Sequence, residues 1–258
     1  MALLFVLVHV GLKGEAFGDV VLAQQDWPRH STAVFRGTAA PGAPAMIEAN
    51  EFKQTVSAEF TARLVSLGFE AFRGHKWVLS VTAPIRRVFA LYNLKSLSLV
   101  PVWGFSFDFV PHLGAGDEVK WHRTARSAFL DLSYDPLDYT SNVHEWAVSR
   151  FDRLDEVRER AKYVSSRAVA DAITFWDRVR TLENAADLFR DWRARPYVRF
   201  GFENYVQAPL AFAFVLARLG QADEARAWLE RCFRNHVRSE AKRKLRGLLR
   251  VAINGGTG

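Results

Sequence analysis

The sequence predicts an α+β fold: an N-terminal helix packed on an antiparallel sheet, followed by a helical C-terminal part. Three observations carry this. Phe52, Val56, Phe60, Leu64 and Leu67 recur at three- and four-residue steps, which lays one apolar stripe along a helix. Between residues 69 and 134 the pattern changes to short runs rich in aromatic and β-branched residues, broken by glycine and proline, as strands and turns require. Beyond Arg150 the helical period returns and persists to the end. The expected organisation is therefore a poorly patterned extension over 1–49, an α+β domain over 50–150 and a helical region over 151–258.

In chain order, residues 11–46 show no sustained period, and Gly37 to Ala45 has linker composition. Patterning begins four residues after Met46, which agrees with translation starting there, so residues 1–45 are expected to add little to the fold. Asn50 is placed to cap the first helix, and Gly68 to end it, because glycine adopts the left-handed conformation without a Cβ clash. Phe69–Phe72 and Trp77–Val81 read as a hairpin turning at Gly74, and Pro84 ends it. Arg87–Tyr92 is a strand, and Leu97–Val110 a longer one bent at Pro101 and Gly104. Phe129–Tyr134 is another, closed by Asp135-Pro136. The helical part comprises about 153–180, then 182–192 with Thr181 as cap, then a hairpin of 209–219 and 222–233 turning at Gly220. Within that hairpin, Leu216-Ala217-Arg218-Leu219-Gly220-Gln221-Ala222-Asp223-Glu224-Ala225 resembles the turn of a tetratricopeptide unit. It occurs in one copy, and solenoids need about three.

The chain has 258 residues, 49% hydrophobic and 24% charged, the balance of a globular protein and not of a disordered or fibrous one. One cysteine, Cys232, excludes an internal disulfide framework and a multi-cysteine zinc site, and fits a reducing cytoplasm. The apolar run Ala2–Val8 lacks a preceding basic residue and is far shorter than the roughly 20 residues of a membrane span, so neither secretion nor a transmembrane anchor is expected. Lys and Arg number 35 against 28 acidic residues. The excess is local: residues 151–258 carry 21 basic and 14 acidic groups, and the rest of the chain is balanced.

Catalytic and cofactor fingerprints are missing from the sequence. No phosphate loop of the Gly-x-x-x-x-Gly-Lys-Ser/Thr type occurs, Gly114-Ala115-Gly116 lacks the third glycine of a dinucleotide turn, and no cofactor is expected. Gly104-Phe105-Ser106-Phe107-Asp108 begins like a nucleophile elbow but ends in aspartate on a strand, so Ser106 reads as a sheet serine. Asp131, Asp135 and Asp138 cluster with His122 and His144 near in sequence, which admits an acid–base or hydrolase site. Their spacing matches neither a zincin helix nor a calcium loop, and Asp135 before Pro136 also suits a turn. His75 and His112 are further groups that titrate near neutrality. Cys232 falls on the apolar face with Leu229 and reads as a small buried hydrophobe.

The tail offers the clearest surface. Arg234, Arg238, Lys242, Arg246 and Arg250 recur every four residues beside an apolar stripe of Val237, Ala241, Leu245, Leu248, Leu249 and Ala252. This is a basic amphipathic helix. Its leucines are expected to dock it and its cations to face solvent, where they are also placed to meet phosphates.

Leu64, Leu67, Gly68-Phe69, Gly74, Trp77 and Gly104-Phe105-Ser106-Phe107 together resemble a bacterial family described only as a domain of unknown function, whose members open with a helix, a Gly-Phe step and a small antiparallel sheet. The resemblance covers about residues 50–140 and transfers no catalytic residue. It implies a cytoplasmic binding or interaction protein of the immunity kind with a protein partner. Nucleic-acid binding through the tail and hydrolysis at Asp131–Asp138 are the alternatives from other classes.

Overall fold

The computed structural model describes residues 47–73, 75–80, 83–94, 98–140, 142–150, 153–196, 206–234 and 237–255. The Ala2–Val8 run, the 36–46 linker and Gly74 lie outside them. The fold is α+β, with the element order the sequence predicts: helix, antiparallel sheet, helices.

Helix α1 (Ala49–Ser66) buries Phe52, Val56, Phe60 and Leu64, whereas Leu67, expected as the end of the stripe, lies just past the helix and is exposed. Its cap is Glu48 and not Asn50: the Glu48 carboxylate accepts the backbone N–H groups of Asn50 and Glu51, so a longer acidic side chain reaches the orphan donors from just before the helix. At the other end Gly68 has φ 85°, Phe69 N donates to Leu64 O and Gly68 N to Val65 O, which is a Schellman closure.

The main sheet runs β1 (Glu70–Phe72), β2 (Lys76–Leu79), β3 (Ile85–Leu94), β4 (Ser98–Phe107) and β7 (Leu132–Tyr134), with β8 (Val148–Ser149) also paired to β4. A separate hairpin joins β5 (Pro111–Leu113) to β6 (Val119–Trp121). All these pairings are antiparallel. Strand β4 is continuous where a bend was expected. Pro101 falls between the stretch paired with β8 (98–99) and the stretch paired with β7 (103–105), where no strand among the described residues requires its missing N–H on that edge. Gly104 is needed for close approach instead: a Cβ there would lie 1.9 Å from Leu132 O.

Both faces of the sheet are covered. Trp77, Phe89, Leu91, Trp103, Phe105 and Phe107 face the helices. Val78, Val88, Ala90 and Val102 lie under a strap that includes Ala128 and Leu130. Polar residues on the same face pin that strap. Lys76 Nζ donates to Arg126 O and Ala128 O, Arg86 Nη2 to Arg123 O, and Phe129 N to Ser106 Oγ. Ser106 is thus a sheet serine as expected, but a fully buried one.

The helices are α2 (Leu154–Trp176), α3 (Leu182–Ala194), α4 (Gln207–Arg218), α5 (Ala222–Cys232) and α6 (Ser239–Gly255). Thr181 caps α3 as predicted, accepting from Asn184 N. Helix α4 buries every residue from Pro209 to Ala217 and is the central rod of the C-terminal part. It turns into α5 through Gly220 at φ 73°, with Gln221 N bonded to Leu216 O. Residue 150 marks the passage from strands to helices, and one hydrophobic core runs across it, from Phe52 to Leu249. No described helix is long and apolar enough to cross a membrane.

Candidate functional site

Two adjoining clefts open at the end of β3 and β4, and Pro84 lines both. The first, about 320 Å³, has walls of Ile85, Phe105 and Val179 with Arg87 and Arg180. The second, about 510 Å³, is lined by Asp108, Phe109, Leu182, Arg123 and Arg218. These arginines come from four separate places in the chain: β3, the end of the β5–β6 hairpin, the turn before α3 and the last residue of α4. The β3–β4 pairing sets the floor through Ile85 opposite Phe107, and Asp108 N bonded to Pro84 O closes the corner.

The charges there do not cancel. Arg86, only 8% exposed, pairs through Nη1 with Asp108 Oδ1, so the acid lining the second cleft is neutralised from beneath. Arg87 Nη2 lies 3.2 Å from Asp177 Oδ1. Arg123, Arg180 and Arg218 have no carboxylate partner among the described residues. Two of them lie over aromatic faces: Arg218 Cζ is 5.4 Å from the Phe109 ring centre and Arg123 Cζ 4.5 Å from that of Trp121. Such stacking orients a guanidinium while leaving its N–H edge free to fork onto an oxyanion.

The residues singled out from the sequence are placed elsewhere. Asp131 is 1% exposed, accepts from Phe107 N at 2.7 Å and from Gln207 Nε2, and burial pushes its carboxyl well above the usual range. Asp135 accepts from Leu137 N and caps a short 3-10 turn at Pro136–Asp138. Asp131, Asp135 and Asp138 line neither cleft. Cys232 is buried with its thiol pushed up to about 12 by desolvation.

In the tail the helix begins at Ser239, so Arg234 stands in the turn after α5 and outside α6. Arg246 forms a forked pair with Glu230 of α5, Nε to Oε1 at 2.7 Å and Nη2 to Oε2 at 2.8 Å, and this holds the Glu230 carboxyl below its ordinary range. Lys242 and Arg246 both lean over the Phe233 ring, at 5.6 and 4.9 Å. Arg238 donates its backbone N–H to Asp117 Oδ2 at 2.7 Å, which ties the helix start to the β5–β6 turn. Arg238 and Arg250 are exposed. The five predicted cations therefore do not form one uncommitted row.

His75, His112 and His122 stood out in the sequence, but the contacts they make did not, and, contrary to expectation, His112 does not titrate near neutrality. His112 and His122 stack with ring centres 3.5 Å apart, and Phe129 packs on both. Desolvation lowers His122 to about 3 and His112 to about 4, so both imidazoles are neutral. No group of three metal-ligating side chains occurs among the described residues. Ser57 Oγ lies 2.5 Å from His75 Nδ1, but the charged neighbour acting on His75 is Lys53. A nucleophile-activating pair has a carboxylate in that place.

The arginine clefts were equally invisible in the sequence, because their residues are far apart in the chain and share no spacing. In comparisons with known proteins, no family model, no curated protein and no solved structure matches this chain.

Proposed function

We propose that this chain is a binding protein whose ligand presents an oxyanion to the arginine-lined clefts around Pro84. The observation that carries the reading is the set of three guanidiniums, Arg123, Arg180 and Arg218, that surround a concave surface without acidic partners among the described residues. A bound oxyanion would give these guanidiniums the acidic partner they lack among the described residues and use their planar forks. A binding role also agrees with the interaction function implied by the resemblance to the bacterial family. Nucleic-acid binding through α6 has less support, since Arg246 is held by Glu230 and Lys242 lies over Phe233.

Isothermal titration of the full chain with inorganic phosphate at low ionic strength tests this reading. The wild type should bind, and the triple variant R123Q/R180Q/R218Q should lose the heat signal while keeping its circular dichroism spectrum. Equal binding by both proteins would sink the proposal.

A further inference from the structure

We infer that the two clefts act together and take a ligand with two separate anionic groups, of the organic bisphosphate class, whose neutral middle crosses Pro84. This rests on the anion-binding reading above and specifies its ligand. Each cleft has its own cation without an acidic partner among the described residues: Arg180 in the first, Arg123 and Arg218 in the second. The junction between them is Pro84, which carries no N–H to meet a charge. Apolar side chains line both clefts as well, Ile85, Phe105 and Val179 in the first and Phe109 and Leu182 in the second. Each cleft therefore offers a cation, and the residue they share offers no donor to a charge.

The heads are phosphates and not carboxylates because of the charge count. Arg123 and Arg218 face one cleft together, while Asp108, the acid beside them, is already paired with Arg86. Two uncompensated cations match a phosphate monoester, which carries roughly −1.5 to −2, better than a carboxylate at −1. In the first cleft Arg180 is assisted by Arg87, whose charge is shared with Asp177 at 3.2 Å. Cleft volumes of about 320 and 510 Å³ each exceed the need of a single phosphate and leave room for the linking carbons.

Calorimetry on the full chain compares inorganic phosphate with α,ω-alkanediol bisphosphates of increasing chain length. Joining two heads raises the effective concentration of the second, so one spacer length should bind at least about tenfold more tightly than phosphate. Arg180→Gln and Arg218→Gln, both at exposed positions, should each return that best ligand to the affinity of inorganic phosphate. If affinity does not depend on spacer length while phosphate still binds, the two-headed ligand is wrong and the anion site stands. If neither phosphate nor any bisphosphate binds, both readings fail. If Arg234→Gln with Arg250→Gln abolishes binding and the cleft variants do not, the site is on the tail and both readings fail again.

Discussion

Replacing Gly104 by alanine tests the packing of the sheet most severely. The added Cβ would sit 1.9 Å from Leu132 O and 2.9 Å from both Leu132 C and Ser133 Cα. All three are backbone atoms of the facing strand, so no side chain can rotate aside, and β7 must move away from β4 by about 1.5 Å to restore ordinary contact distances. That motion strains the pairings Trp103–Tyr134 and Phe105–Leu132 and the Asp131 N to Phe105 O bond. Overpacking of this kind costs about 1–3 kcal/mol, and each hydrogen bond lost adds about 0.5–1.5 kcal/mol. With one or two bonds lost, Gly104→Ala should destabilise the protein by about 2–5 kcal/mol. For a chain of this size that lowers Tm by roughly 5–20 °C. Urea unfolding followed by tryptophan fluorescence should show the midpoint falling with an unchanged slope. A loss below about 0.5 kcal/mol would refute the close-approach account of this glycine.

Other consequences follow from burial and charge. Trp77→Ala and Phe107→Ala should each cost about 3–5 kcal/mol in urea unfolding, since Trp77 packs on Phe60 and Phe89 and Phe107 on Phe105, Phe109 and Phe189; near-neutral results would place these rings in solvent. His122 and His112 have folded-state values of about 3 and 4, below the ordinary 6.5, so the unfolded chain binds more protons as pH falls. Their contribution is present in full above about pH 6.5 and is lost as pH falls toward 3–4. Asp131, raised by burial, acts with the opposite sign above its ordinary value, so the test is a difference. His122→Leu should flatten the acid limb of the stability–pH curve, and an unaltered limb would count against a buried neutral pair. Neutralising Arg234, Arg238, Lys242 and Arg250 together should leave the unfolding midpoint nearly unchanged. An RNA complex of the wild type that weakens steeply with salt and disappears in this variant would contradict the docking role given to α6.

Much of the fold was legible wherever a pattern repeats within one element. The α1 stripe, the Gly68 and Gly220 stops, the Thr181 cap and the long strands β3 and β4 all follow from local periodicity or from backbone conformations that few residues adopt. Hairpin β5–β6 and strand β8 were not legible, because three-residue and two-residue strands contain no period to detect. Gly104 was read as a bend because its real constraint, the carbonyl of Leu132, comes from a strand far along the chain. The same limit hid the candidate site. Arg87, Arg123, Arg180 and Arg218 become neighbours of the clefts only when the strap, the α2–α3 turn and the end of α4 meet around Pro84. The tail, by contrast, advertised its cations by regular spacing, and the fold then paired Arg246 with Glu230.

The most direct test of anion binding at Pro84 is a map of the arginine Nε–Hε resonances during titration with inorganic phosphate. Shifts concentrated on Arg87, Arg123, Arg180 and Arg218, saturating together, are the predicted result. Shifts confined to Arg234, Arg238, Arg246 and Arg250, with the cleft arginines unmoved, would contradict it.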